Sequence, residues 1–151
     1  MYTAVLLLHS WLRWVVIIAA IVATGATFTT RASEGEDAAD RWGLIFMMSL
    51  DLQMLLGVLM YAGLSPNMRA ILSNFGESMQ RADTRFWAVE HITTMFIAVI
   101  LVHVGRVLAR KAPTPGSKRT RQMICFTVAT VLILAATPWP GMAAGRPLFR
   151  V

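Results

Sequence analysis

Apolar residues gather into four long runs, at about 3–28, 42–64, 84–108 and 122–137, with short polar stretches between them. Each run approaches the roughly 20 residues that a helix needs to cross a hydrocarbon core. The last is the shortest. Pro138-Trp139-Pro140 stops it, because proline lacks a backbone donor and crowds the preceding turn, so its exit near Trp139 is expected in the membrane interface. Between the second and third runs, Met68, Ile71, Leu72, Phe75 and Met79 recur at helical spacing, with Asn67, Arg69, Asn74 and Glu77 among them. That spacing predicts a short amphipathic helix over about 67–79, lying on the membrane surface. The whole pattern predicts an all-α fold: one transmembrane domain over 1–151, an integral membrane four-helix bundle with an interfacial helix between its second and third spans.

Composition agrees with that reading. Of 151 residues, 56% are hydrophobic and 15% charged, against about 25% charged in a soluble domain. The formal charge of +6 raises nucleic acid as a partner, but the basic residues crowd into short loops and build no basic face. The partner they indicate is the lipid bilayer with its anionic headgroups. One side carries Arg31, Arg41, Arg106, Arg110, Lys111, Lys118, Arg119 and Arg121; the other carries Arg69, Arg81, Arg85, Arg146 and Arg150, with Arg13 inside a span. Basic loops stay in the cytoplasm, so both termini are expected outside. Met1-Tyr2-Thr3-Ala4 supplies no positive n-region, and no small-residue cleavage site follows the first run, which is expected to remain as a helix. The lone cysteine, Cys125, allows no internal disulfide and reads as a small buried hydrophobe.

Ionisable residues inside spans are costly and mark functional sites by default. His9 and His91 each lie about 10 Å in from the start of the first and third helices at 1.5 Å per residue. Those helices start on the same face, so the two imidazoles share a depth. Two facing histidines in a bundle can ligate one haem iron axially. Arg13 lies one turn beyond His9, placed for a haem propionate or for Glu90, with Arg146 or Arg150 of the tail as further propionate partners. Trp87, with Trp11, Trp14 and Phe86, supplies aromatic surface at that level, while Thr94 and Met95 follow His91 on its own face. Gly25, Gly43, Gly57 and Gly105 allow close helix approach. Ten methionines raise copper, but Met47, Met48, Met54 and Met60 read as packing on the second helix, so copper is not expected. The plain alternative is that both histidines hydrogen-bond between helices.

A second polar group lies deeper. His103 follows His91 by about 18 Å and 120°, too far to share a metal with it, and approaches the level of Asp51 in the second span. Asp51 must be protonated or paired, and His103 or Arg106 is the expected partner. A salt bridge that fixes helix register, a proton path and a quinone pocket are the readings of this group.

Leu8-His9-Ser10-Trp11-Leu12-Arg13-Trp14, Leu52-Gln53 with Leu55-Leu56-Gly57, Glu90-His91, Pro138-Trp139-Pro140 and Gly145-Arg146-Pro147-Leu148-Phe149 resemble a group of small bacterial four-helix membrane proteins labelled cytochrome b-like. The resemblance covers nearly the whole chain. It implies haem b, a bacterial inner (cytoplasmic) membrane and functional roles for His9 and His91. Some relatives carry His where this chain has Asp51.

Three functions follow as expectations. The first is a small b-type cytochrome or cytochrome-like electron-transport subunit, partnered by other membrane redox subunits and by quinone. The second is a cofactor-free accessory or assembly subunit. The third is a small proton-linked transporter using Asp51, His103 and Arg106. No Ser-His-Asp set, phosphate loop or catalytic carboxylate pair supports a hydrolase, so no catalytic residue is assigned.

Overall fold

The computed structural model describes residues 1–29 and 36–149, which leaves Arg31, Glu34 and Arg150 outside the described residues. All regular structure among the described residues is helical. Helix α1 covers Tyr2–Thr29 and α2 covers Ala38–Leu59, running on through a π-helical turn at Met60–Leu64. Three short helices follow: α3 (Pro66–Ser73), α4 (Phe75–Ser78) and α5 (Ala82–Arg85). A second π-helical turn, Phe86–Glu90, leads into α6 (His91–Arg110), and α7 is Pro115–Ala135.

Three continuous helical stretches, Tyr2–Thr29, Ala38–Leu64 and Ala82–Arg110, are long and apolar enough to cross a membrane, as a multi-pass membrane protein requires. The run at 122–137 differs. Its helix opens on a charged segment with Lys118, Arg119 and Arg121, and only its part from Gln122 onward is free of charge. At 1.5 Å per residue that part measures about 21 Å, short of a hydrocarbon core of about 30 Å. The amphipathic helix predicted over 67–79 is also interrupted. Asn74 leaves helical geometry (φ −120°, ψ 47°) between α3 and α4, and its side chain donates to the Ala70 carbonyl at 3.3 Å, the local competition that makes asparagine a poor interior helix residue.

α1 packs against α2 and α7, and α6 packs against the same two, so α1 and α6 face each other across a diagonal. The shared core holds Val16, Ile17, Phe46, Leu50, Val102, Phe126 and Ile133. Phe46 and Phe126 meet edge to face with centroids 5.9 Å apart, the arrangement that aromatic quadrupoles favour. Two glycines admit α7: a Cβ on Gly43 would stand 2.7 Å from Cζ of Phe126, and one on Gly105 would stand 2.6 Å from the Cβ of Cys125. Gly25 has open space beside it and takes no part in close packing. Cys125 is buried and free.

One end of the molecule is basic and cross-tied. Asp37 and Asp40 form a reciprocal capping box at the start of α2. Lys118 of α7 pairs with both carboxylates, and Gln122 Nε2 donates to Asp40 Oδ1 at 2.7 Å. Arg106 of α6 donates to the Asp40 carbonyl at 2.8 Å. Arg119 reaches back to the Thr27 and Phe28 carbonyls at the end of α1, and Arg121 to the Leu108 carbonyl near the end of α6 at 2.7 Å. Carbonyls in the last turns of α1 and α6, which lack partners within their own helices, thus receive a guanidinium from a neighbour.

Gly43→Ala is expected to lower thermal stability in detergent by about 1–3 kcal/mol, the usual cost of overpacking. In a double-mutant cycle with Phe126→Leu the two losses should be less than additive; strict additivity would show that Phe126 does not fill the space over Gly43.

Candidate functional site

At the end opposite the basic cross-ties a cavity of about 870 Å³ opens between α1, α2, α3, α6 and the segment after α7. Its volume lies in the range of small-molecule and cofactor sites, about 300–1,000 Å³. His9, Arg13, Trp87, His91 and Met95 all line it, together with Gln53, Met54, Gly57, Tyr61 and Arg146. The matched depth of the two histidines therefore becomes a shared wall.

The two imidazoles are held differently, His9 by packing and His91 by a backbone carbonyl. A Cβ on Gly57 would stand 3.3 Å from His9 Cε1 and 3.8 Å from Nδ1, with no other ring atom inside 4 Å. The Nδ1–Cε1 edge of His9 thus rests on α2 where a glycine allows it. Gln53 Nε2 donates to the His9 carbonyl at 3.0 Å. His9 Nδ1 and Gln53 Oε1 are both buried without a hydrogen-bond partner, which buried polar atoms seldom are.

His91 has a defined tautomer. Its Nδ1 lies 2.8 Å from the Ala136 carbonyl, and a carbonyl only accepts, so Nδ1 carries a proton and, in the neutral ring, Nε2 keeps its lone pair. Ala136 can offer that carbonyl because Pro138 ends α7 nearby and leaves the last turn short of donors. The π-helical turn Phe86–Glu90 immediately precedes His91; such insertions recur at functional sites because they re-aim the side chains around them. Tyr61 Oη donates to the Ala88 carbonyl at 2.8 Å, which ties this turn to the π-helical turn ending α2. Phe86 and Trp87 flank the His91 ring, with centroids 5.6 and 5.4 Å away.

The segment after α7 closes the cavity as a strap. The Arg146 amide donates to the Pro138 carbonyl at 3.1 Å, and Gly141 turns the chain with φ +92°. Gly145 permits the fold-back, since a Cβ there would meet the Trp139 carbonyl at 2.6 Å. Arg13 and Trp14 both donate to the Leu148 carbonyl, at 2.6 and 3.2 Å, and Phe149 lies against Trp11 and Trp14. Arg146 stacks over Trp87 at 5.0 Å. Arg13 lies within electrostatic reach of both imidazoles.

The remaining sequence candidates separate from this cavity. Glu90 pairs with Arg85 at 2.7 Å and is half exposed, and it is not part of the cavity wall. Asp51 and His103 meet each other, Oδ2 to Nε2 at 3.4 Å. Arg106 does not join them; its guanidinium runs the other way, to Asp40. Sequence reasoning missed Gln53 as a support for His9, Tyr61, and the strap as a lid. Only the glycines of the strap signalled a tight turn in advance.

Comparison with protein-family models, with curated proteins and with solved structures gives no match to this chain. Functional assignment therefore rests on the geometry of the site.

Arg13→Gln and Phe149→Ala are expected to loosen the strap. Losing a hydrogen bond to a charged group, about 1.5–3 kcal/mol, should speed hydrogen–deuterium exchange of the 141–146 amides roughly tenfold or more, leaving α1 unchanged. Unaltered exchange in both variants would mean that the strap is held elsewhere.

Proposed function

We propose that this chain is a small b-type cytochrome, or a cytochrome-like subunit of a bacterial inner-membrane redox complex, with haem held between α1 and α6. In this reading α7 completes an integral membrane four-helix bundle, its basic first turns anchored among headgroups by snorkelling side chains. The broken helix α3–α4 lies at the opposite interface. The basic end faces the cytoplasm, and both termini, which belong to the cavity end, face out. Within this membrane the chain passes electrons to or from neighbouring redox subunits, with quinone as a further partner.

The observation that carries the reading is the pair of histidines, one from each of two diagonal helices, in the wall of one cavity. His91 offers Nε2 as a lone-pair donor while Nδ1–H is fixed on the Ala136 carbonyl; a backbone or carboxylate acceptor behind the ring is the usual support of a metal-bound imidazole. A porphyrin brings four nitrogens of its own and asks little more of the protein than one or two ligands, so a pair of histidines in one cavity wall suits haem.

His9 and His91 would hold the iron. Arg13 and Arg146, the cavity's two guanidiniums, would meet the propionates at its outer rim, and Trp87 and Met95 would pack on the macrocycle. Haem would supply one-electron transfer. The protein's share is to bury the group, fix its plane through the two imidazoles and set its potential through polarity and hydrogen bonding.

The full chain, made in a haem-replete host and purified in detergent, is expected to be coloured and to show a sharp α-band in its reduced-minus-oxidised spectrum. His9→Ala and His91→Ala should each abolish the band, while Glu90→Gln should keep it. A colourless wild-type protein, or colour that survives both alanine variants, would remove the proposal.

A further inference from the structure

The basic end holds a second, smaller cavity of about 470 Å³, between the start of α2, the end of α6 and the first turn of α7. Its charged wall is Glu36, Asp40, Arg106, Arg110 and Lys118, completed by the turn at 112–115. The Ala38–Leu64 span begins here and the Ala82–Arg110 span ends here. In a bilayer such span ends stand at the level of the headgroups.

Two guanidiniums in that wall keep donors unused. Arg106 is only 8% exposed, and a charge so deeply buried is almost always paired. Yet among the described residues Arg106 forms no ion pair. Asp40 offers it a backbone carbonyl, at Nη1, because the Asp40 carboxylate is taken by Lys118 and Gln122. Arg106 Nε is buried without a hydrogen-bond partner, and Nη2 has none among the described residues. The Nε–Nη2 edge is a fork with which arginine meets phosphate bidentately. Arg110 follows one turn later on the same face of α6, and it makes no hydrogen bond or ion pair among the described residues.

The balance of charge selects the group that fits. Three cationic and two anionic side chains line the cavity, an excess of one positive charge. A phosphodiester carries a single negative charge and two free oxygens. A phosphomonoester carries about 1.5–2 negative charges at neutral pH.

We propose that this cavity binds the headgroup of an anionic phospholipid, with its phosphodiester between Arg106 and Arg110. The bilayer presents that group at the depth where the two spans end, and basic pockets between membrane helices are a known form of headgroup site. The phosphodiester supplies the counter-charge that Arg106 lacks. The site requires membrane insertion but not haem. A colourless protein would leave it standing, and a lipid-indifferent one would leave the histidine pair of the larger cavity untouched.

Melting of the full chain, purified in a neutral maltoside detergent and stripped of lipid, tests it. Short-chain phosphatidylglycerol is expected to raise Tm. Short-chain phosphatidylcholine, whose headgroup has no net charge, and inorganic phosphate should leave it nearly unchanged. In Arg110→Gln the phosphatidylglycerol concentration for half the rise should increase roughly tenfold, the loss of one charge-assisted contact. Arg106→Gln should weaken binding further, but it also breaks the tie to Asp40, so the exposed Arg110 is the position to read. Arg69→Gln, exposed on α3 at the other end, should titrate like the unaltered protein. No rise with phosphatidylglycerol, an equal rise with phosphatidylcholine, or an unaltered half-point in Arg110→Gln would overturn the site. An equal rise with inorganic phosphate would overturn its assignment to lipid.

Discussion

Asp40 is the residue on which the arrangement of the helices turns. Its carboxylate caps α2, takes Lys118 and Gln122 from α7, and its carbonyl takes Arg106 from α6. Arg119 then extends the same cross-tying to the end of α1. Carbonyls at a helix end have no partner within the helix, and here neighbouring side chains supply one. Four helix ends are therefore fixed relative to one another at the basic end, and Phe126 on Gly43, with Cys125 on Gly105, fills the level just beyond. Breaking one member of such a cluster costs more than its bond, since the others are left buried and unpaired.

The opposite end is organised by interruption. Both long helices on that side change register through π-helical turns, and Tyr61 joins the two irregular segments by donating to Ala88. Pro138 ends α7 early and frees the carbonyl that orients His91. The chain folds back as a strap whose glycines let it lie close, and whose carbonyl at Leu148 engages Arg13 and Trp14. Closed helix ends on one side and irregular backbone on the other leave the cavity where the regular packing stops. Irregular backbone at such depth is tolerated where it lines a cavity.

What the sequence made legible follows from helical geometry. A run of apolar residues gives length, and 1.5 Å per residue gives depth, so three of the four expected spans are helices long and apolar enough to cross a membrane, and the common level of His9 and His91 could be read directly. The Asp51–His103 contact was legible as one of two expected partners for the same reason, as two ionisable residues at similar depth. Partners of long side chains were not. Arg106 was placed with Asp51 by depth alone, whereas a guanidinium reaches a turn or more along the helix and found Asp40. Glu90 was read toward the cavity, but Arg85, one turn earlier and across the irregular backbone, takes it. The break at Asn74 and the strap were hidden because hydrophobic periodicity says nothing about where a non-helical segment docks.

The claim at the centre of this account is that one iron is held by His9 and His91 together. Low-temperature electron paramagnetic resonance of the oxidised protein, made with nitrogen-15 histidine, tests it most directly. A low-spin ferric signal is expected, with nitrogen couplings from two imidazoles that change to a single-histidine signature in His91→Met. A high-spin signal, couplings from only one histidine in the unaltered protein, or a signal indifferent to His91→Met would contradict it.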